Sequence, residues 1–386
     1  MKRYLRQFVI YVLTVIFLAV IVQSVSAKIN EFSFIGKEAD VVIFVNNDLD
    51  DPGFNYVSNL WRDRFEIKEP NIKNEAINRL YSELPIATIV GAAYLPEKAF
   101  DKEKKPIYPE FIVIVEIKKD QDVFKDALDI LITKRKPLKK VGHEGYEITY
   151  RDKKLEPYHG QKDLAAYVQI GKYFVIAMSP MELCRAIDTY KGKRESFSAN
   201  KSCLELLKEV PDTDTYLLIN NESGLFSKNL RRWEEIEGMR VLLSSEAISE
   251  ILFSLDLATD DSIKGELVFK PKESKNILDI EDDAYFFEEI INRSLVKQDI
   301  NWISEVETVN NKVVLKFEGI GFKKIWEELL LNKRVVFLEK EKEEAGQDEQ
   351  PNIQPKLVSS KLIKLIFVLF IVIIALVVAI FIKRKK

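Results

Sequence analysis

The sequence has few of the residues on which enzyme and metal-site motifs depend. Among 386 residues there are two cysteines, two histidines and 14 glycines. Two cysteines exclude a disulfide scaffold and a cysteine-rich metal cluster, and whether Cys184 and Cys203 form one bridge is left open. A GxSxG elbow, an HExxH helix, a phosphate loop and the SxxK motif with its partner motifs are absent. The sequence therefore predicts no catalytic residue, no metal ligand and no cofactor, and it favours a protein that is not an enzyme.

The two histidines lie in turn-like surroundings, and the acidic clusters resemble ordinary turns. Glu144 follows His143 and suggests an acid–base pair, but consecutive side chains on a strand point to opposite faces. His159 precedes a glycine. Acidic residues cluster at 48–51 and 281–283 without the spacing of a calcium-binding loop. We therefore expect surface histidines and solvated carboxylates.

Charge of the two signs is nearly balanced, with 58 basic and 61 acidic residues. Three basic residues precede position 28 and six follow position 360, so residues 28–360 carry a formal charge of −12. A moderately acidic domain is not a general binder of nucleic acid or anionic lipid. The composition therefore argues against nucleic acid as a partner and indicates a solvated surface.

The strongest single signal is an apolar run near the C-terminus. Residues 365–382 are eighteen apolar residues, and a helix of that length spans roughly 27 Å, close to the hydrocarbon thickness of a bilayer. A basic cluster follows this run and consists of Lys383, Arg384, Lys385 and Lys386. By the positive-inside bias, such a cluster marks the cytoplasmic end of the span. We predict a single membrane-spanning helix over 362–382, a basic cytoplasmic tail over 383–386 and a disordered acidic stalk over 339–361.

The N-terminus has the pattern of a secretory signal. Three basic residues precede an apolar stretch at 8–22, and small residues at 25–27 suggest cleavage after Ala27. An uncleaved signal anchor is the alternative, because fifteen apolar residues approach the length that spans a membrane. Both interpretations place residues 28 to about 340 outside the cytoplasm.

Between the termini the pattern alternates between strands and short amphipathic helices. Apolar runs at 40–46, 86–94 and 111–117 predict strands, and residues 165–178 predict a hairpin that turns at Gly171 and Lys172. Helical periodicity covers 121–132, 181–190, 202–209, 284–295 and 322–331. Ser179 and Pro180 are a typical cap and first residue for the second helix. The expected fold is α+β, mixed, with largely antiparallel sheets and packed helices.

One segment recurs within the chain. DVVIFVNN at 40–47 returns as DTYLLINN at 214–221, and each copy is followed by a phenylalanine and a tryptophan. Either two strand–helix units are alike by chance, or the outer domain is duplicated, which is the interpretation we adopt. The predicted division is a first α+β half over 28–210 and a second α+β half over 211–338.

The order of these elements resembles the bacterial extracytoplasmic family called domain-of-unknown-function 3352. The stretches that carry the resemblance are FIVIVEIKKDQDVFKDAL at 111–128, GHEGYEITY at 142–150, AAYVQIGKYFVIAMSPMELCRAID at 165–188 and the segment at 196–220. The Leu-Pro-Ala-Asp opening usual in that family is replaced by GKEAD at 36–40. The resemblance implies an envelope protein and no known activity or catalytic residue.

Together these features predict a single-pass protein of the cell membrane with its large domain outside the cytoplasm. The missing catalytic motifs and the elaborate anchored fold favour a binding or structural module of the cell envelope with a protein partner. Two alternatives remain: a cell-surface enzyme with its site between the two halves, which would show a cleft of perturbed carboxylates, and a carrier of an apolar ligand.

Overall fold

The computed structural model describes residues 31–46, 86–98, 109–118, 120–133, 138–151, 165–209, 215–237, 244–256, 259, 261–295 and 300–323. The predicted cleavage residue Ala27, the stalk at 339–361, the membrane helix at 362–382 and the basic tail at 383–386 lie outside these residues. Among the described residues, the structure contains no helix with the length and apolar character needed to cross a bilayer.

The described strands form one twelve-stranded sheet in which every pairing is antiparallel. In chain order they are β1 (Val41–Asn46), β2 (Ile86–Tyr94), β3 (Glu110–Ile117), β4 (Leu138–His143), β5 (Tyr146–Arg151), β6 (Ala166–Ile170), β7 (Tyr173–Ala177), β8 (Thr215–Asn220), β9 (Ile248–Asp256), β10 (Ser262–Pro271), β11 (Asn301–Val309) and β12 (Lys312–Ile320). Their order across the sheet is β11-β12-β10-β9-β8-β1-β2-β3-β7-β6-β5-β4. The expectation of a largely antiparallel α+β fold is therefore confirmed.

The described part contains five α-helices of nine to 19 residues. They are α1 (Gln121–Thr133), α2 (Pro180–Tyr190), α3 (Lys201–Glu209), α4 (Leu225–Glu237) and α5 (Ile277–Leu295), with 3-10 turns at Glu31–Phe34, Phe197–Ala199, Ser245–Ala247 and Ser274–Asn276. Ser179 caps α2 by accepting a hydrogen bond from the amide of Glu182, whose side chain accepts one from the amide of Ser179, and Pro180 opens the helix. The predicted cap is confirmed.

Both faces of the sheet carry apolar cores because side chains alternate along each strand. On one face, here called the front face, Val42, Phe44 and Val90 pack with the first 3-10 turn and with α2 and α3. On the opposite back face, α1 covers the strands from β1 to β7, and α4 and α5 cover those from β8 to β12. The sheet is thus the middle layer of three.

The centre of the sheet is the pair formed by β1 and β8. Ile43 lies directly opposite Leu217, and Phe44 stacks on Tyr216 with ring centroids 4.8 Å apart. These two strands come from opposite sides of the predicted division near residue 210, so one sheet runs across that division. For reference, strands β1–β7 are called the first half-sheet and strands β8–β12 the second half-sheet.

Candidate functional site

A pocket of about 570 Å³ lies along the first turns of α4. Four of its seven lining residues are cationic: the lining consists of Gly224, Ser227, Lys228, Arg231, Arg232, Glu246 and Lys272. Five of them lie in or just before α4 and follow one another at intervals of three, one, three and one residues, so they share one face of the helix. Lys272 follows β10 and Glu246 belongs to the 3-10 turn at Ser245–Ala247. Three segments of the chain therefore meet at this pocket.

A buried asparagine holds the walls of the pocket together. Asn221 is fully buried, and its side-chain amide donates to Ser227 Oγ at 2.6 Å and to the carbonyls of Ser245 and Ile248 at 3.0 and 2.8 Å. Its side-chain oxygen accepts from the amide of Ser227 at 3.1 Å. The first turn of α4 and the neighbouring 3-10 turn are thus joined through one side chain.

Two further hydrogen bonds fix the opposite wall. Ser227 Oγ donates to the carbonyl oxygen of Ser245 at 2.7 Å. The backbone amide of Lys272 donates to the carbonyl oxygen of Ala247 at 2.8 Å. Because the backbone around the cationic side chains is fixed in this way, the pocket is largely formed before any ligand binds, which lowers the entropic cost of binding.

The charge in the pocket is strongly one-sided. Four cationic side chains face a single carboxylate, Glu246, which lies 3.8 Å from Arg231 Nε. Glu246 is 77% exposed, so solvent screens this pair. Arg232 Nη1 is buried and finds no acceptor among the described residues. An unpaired guanidinium nitrogen is costly to bury, and an anion in the pocket would satisfy it.

The position of the pocket at the start of a helix adds to this potential. The N-terminal turn of α4 carries the positive end of the helix dipole, while the amides of Leu225 and Ser227 already donate to Ser223 Oγ and to the side-chain oxygen of Asn221. That turn contains no acidic residue that would neutralise it. Side-chain charge and helix dipole therefore favour the same class of ligand, one that carries phosphate or carboxylate groups.

A second groove, of about 320 Å³, crosses β9, β10, β12 and β11 on the front face and has the opposite character. Its carboxylates outnumber its two lysines, Lys264 and Lys316. Both lysines are paired, Lys264 with Asp256 at 2.9 Å and Lys316 with Glu307. This groove neutralises its own cations, so it offers no comparable site for an anion.

Three buried carboxyl groups have raised pKa values, and their contacts are structural. Burial raises the pKa of Glu31 to about 7, that of Asp40 to about 6 and that of Glu182 to about 7. Asp40 accepts from the amide of Leu95 at 2.7 Å, and Glu182 caps α2. Asp40 directly precedes the first residue of β1. Glu31 lies near the other end of β1, because its hydrogen-bond partner Thr88 pairs with Asn46, the last residue of that strand. These groups are distributed over the fold and do not form one catalytic cleft.

Glu31 belongs to a buried polar network on the front face. The Thr88 hydroxyl lies 3.2 Å from Glu31 Oε1 and 2.8 Å from Glu116 Oε2, so it can donate to either carboxylate. Lys172 Nζ contacts Glu116 Oε1 at 2.5 Å. Burial opposes ionisation of Glu116, but the lysine and threonine hydrogen bonds outweigh it and lower its pKa. Burial and the neighbouring Glu116 raise the pKa of Glu31, and the contacts of Thr88 with both carboxylates tie the N-terminal turn to β2 and β3.

The structure brings one histidine into a cluster that the sequence pattern does not reveal. His143 Nε2 lies 2.9 Å from Asp188 Oδ1 of α2, and Glu144 pairs with Lys193 at 2.6 Å. His159 lies outside the described residues. Cys184 and Cys203 are free thiols, and burial raises the pKa of Cys203 to about 12.

No protein-family model, curated protein or solved structure matches this chain. The resemblance to the domain-of-unknown-function 3352 family stays a prediction. The cationic pocket was not found by sequence reasoning, although Lys228, Arg231 and Arg232 lie at helical spacing and give a readable signal. Lys272 and Glu246 join them only through the fold.

Proposed function

We propose that this protein is a membrane-anchored, extracytoplasmic binding module of the cell envelope that holds an anionic group in the pocket beside α4. The single observation that carries this proposal is the set of four cations around Arg232, whose Nη1 is buried without an acceptor among the described residues. The pocket volume of about 570 Å³ suits a small ligand or one group of a larger partner.

The membrane part of the proposal rests on the sequence. The apolar run at 365–382 followed by Lys383, Arg384, Lys385 and Lys386 supports a single span with a cytoplasmic C-terminus. The acidic segment at 339–361 would then act as a spacer between the bilayer and the folded domain.

We also propose that the outer domain consists of two similar halves related by an approximate two-fold axis. Ile43 and Leu217 hold the same place in the repeated segment and lie opposite one another. Outward from this pair the order is β1-β2-β3-β7-β6 on one side and β8-β9-β10-β12-β11 on the other. A helix follows the third strand in both, α1 and α5. Matching order around equivalent central residues supports duplication.

The ligand of the pocket is expected to be an anion with at least two charged oxygens. Arg231 and Arg232 offer planar guanidinium groups that suit bidentate contact with phosphate or carboxylate, and Lys228 and Lys272 add point charges. An acidic domain with one cationic pocket would also be selective, since its remaining surface repels anions.

Binding of inorganic pyrophosphate to the full-length chain in nonionic detergent tests the proposal. We expect saturable binding by calorimetry that weakens at high salt, and a loss of at least tenfold in affinity in Arg232→Gln and in Lys228→Ala. Lys208→Ala, on the exposed side of α3, removes the same charge elsewhere and should leave affinity unchanged. If the three variants bind equally, the pocket is not the site.

The partner is tested by crosslinking in cells. Tagged full-length protein and its Arg232→Gln variant are crosslinked and compared by mass spectrometry, beside a chain that lacks residues 28–340. A discrete protein recovered only with the intact outer domain, and less with Arg232→Gln, supports docking through the pocket. Equal recovery by all three chains would contradict the binding module itself.

A further inference from the structure

The tip of the β4–β5 hairpin and the end of α2 bring three potential metal ligands together. One ligand atom each from His143, Glu144 and Asp188 lies within 4.8 Å of the others. His143 and Asp188 are 45 residues apart in sequence and only 2.9 Å apart in space, between Nε2 and Oδ1. The cluster is half-exposed, with 29% of the His143 and 28% of the Asp188 side chain accessible, so an ion could enter from solvent.

The backbone on both sides of the cluster is well fixed. Glu144 and Gly145 have φ angles of 52° and 85°, which form the tight two-residue turn that places His143 at the end of β4. Asp188 lies in the last turn of α2, which packs on the front face through Leu183 and Ile187. The ligand-bearing elements are therefore rigid, as a preformed metal site requires.

We propose that His143, Glu144 and Asp188 bind a divalent transition-metal ion such as Zn²⁺. One imidazole nitrogen and two carboxylate oxygens are a typical set for such ions, and solvent would complete the coordination. Ligands at about 2.0–2.1 Å in a tetrahedral site lie roughly 3.4 Å apart. The His143–Asp188 distance of 2.9 Å is somewhat shorter than that value, so metal binding would release the proton of this hydrogen bond, separate the two atoms slightly and require the exposed Glu144 side chain to rotate inward.

The charges around the cluster determine how the site would respond to mutation. Lys193 Nζ contacts Glu144 at 2.6 Å, and this pairing competes with a metal for the same carboxylate. Removal of Lys193 should therefore strengthen metal binding, whereas a purely structural His143–Asp188 hydrogen bond would be indifferent to it. The direction of the change in metal affinity on removal of Lys193 therefore distinguishes a metal site from a surface ion-pair cluster.

Titration of the full-length chain with CoCl₂ and ZnCl₂ tests the proposal. The chain is treated with chelator in detergent after removal of any histidine tag, and Co²⁺ absorption and calorimetry report coordination and affinity. We expect one equivalent of metal, at least about tenfold weaker binding in His143→Ala and Asp188→Asn, and tighter binding in Lys193→Met. Glu147→Gln is the matched control, because Glu147 pairs with Lys140 on the same hairpin but lies outside the cluster.

Two results would overturn the proposal. One is the absence of saturable metal binding at millimolar concentration while near-ultraviolet circular dichroism shows an intact fold. The other is binding that is equal in the original chain, His143→Ala and Asp188→Asn. The site is independent of the proposed anion pocket, so Arg232→Gln should bind Co²⁺ with unchanged affinity.

Discussion

Side chains at matching positions of the two half-sheets differ in their exposure to solvent. The hairpins β6–β7 and β11–β12 each turn on two residues, and aligning them on these turns places Val168 beside Glu307 and Ile170 beside Val309. Val168 is fully buried and Ile170 is 3% exposed, whereas Val309 is 42% exposed. The same strand architecture is therefore covered at one end and exposed to solvent at the other.

The difference follows from which helices cover the front face. In the first half-sheet α2 and α3 pack over it, and Glu31, Thr88 and Glu116 join the first 3-10 turn to β2 and β3. Over β10, β12 and β11 no described helix covers that face, and its side chains are mostly charged. The first half-sheet is thus the more covered of the two, and both described pockets open along the second half.

The largest expected effect comes from exchanging the matching residues. Val168→Glu would place an unpaired charge in the apolar core and should cost at least ~3 kcal/mol. Glu307→Val removes only a partly exposed pair with Lys316 and should change stability by less than about 1 kcal/mol. Urea unfolding of the full-length chain in detergent, followed by tryptophan fluorescence, measures both. Similar losses would show that the two faces are equally buried.

The next largest effect concerns pH, because the three carboxyl groups with raised pKa values all belong to the first half. Glu31 has a pKa of about 7 in the folded protein against an ordinary 4.5. Between these values the folded protein holds a proton that the unfolded chain has released, so stability falls as pH rises from about 4.5 to 7. Glu116, whose pKa is lowered, contributes in the opposite sense and only below about pH 4.5.

The variant Glu31→Gln isolates this contribution. Its amide can donate to Glu116 without releasing a proton, so its stability should decline less from pH 5 to 8 and exceed that of the original chain at pH 8 by roughly 2–3 kcal/mol. Urea unfolding at several pH values measures the slope, with the exposed Glu147→Gln as control. An unchanged slope would mean that Glu31 is ionised in the folded protein.

Local sequence signals predicted most elements of the first half-sheet, but not strands β4 and β5. Helix α1 was expected over 121–132 and extends over Gln121–Thr133, and the turn at Gly171 and Lys172 is confirmed. Helix α5 was expected to begin at Ala284 and begins at Ile277. The first turns of α5 were missed because they carry an apolar residue, Leu278, on the solvent side, where it is 72% exposed. An apolar residue at such a position breaks the helical periodicity of the sequence.

The remaining features depend on topology, which short-range patterns do not encode. Strand β11 was missed because it is an edge strand with both faces partly exposed, so polar and apolar residues alternate weakly. The pairing of β1 with β8 and the contact of His143 with Asp188 join segments that are distant in sequence. Only the fold determines which of these distant segments meet.

Two glycines, one in each half-sheet, provide a third comparison, in which the expected effect on stability is of intermediate size. A Cβ at Gly265 of β10 would lie 2.2 Å from the carbonyl oxygen of Ser254 and 2.6 Å from the Phe317 ring, whereas at Gly91 of β2 the nearest atom is 3.8 Å away. Gly265→Ala should therefore cost about 1–3 kcal/mol, while Gly91→Ala should be tolerated or slightly stabilising. Thermal unfolding of both variants tests this, and equal midpoints would contradict the close packing of β10 against β9 and β12.

The smallest expected effect is the most informative about the exposed front face. Ile303 of β11 is 67% exposed, so Ile303→Ser should change stability by no more than about 0.5 kcal/mol. Ile170→Ser, in the matching hairpin of the first half-sheet, should cost several times as much because that side chain is buried. Urea unfolding of the full-length chain compares them directly. If Ile303→Ser proves as costly as Ile170→Ser, Ile303 is covered in the full-length protein, and the contrast between the half-sheets does not hold at the edge strand.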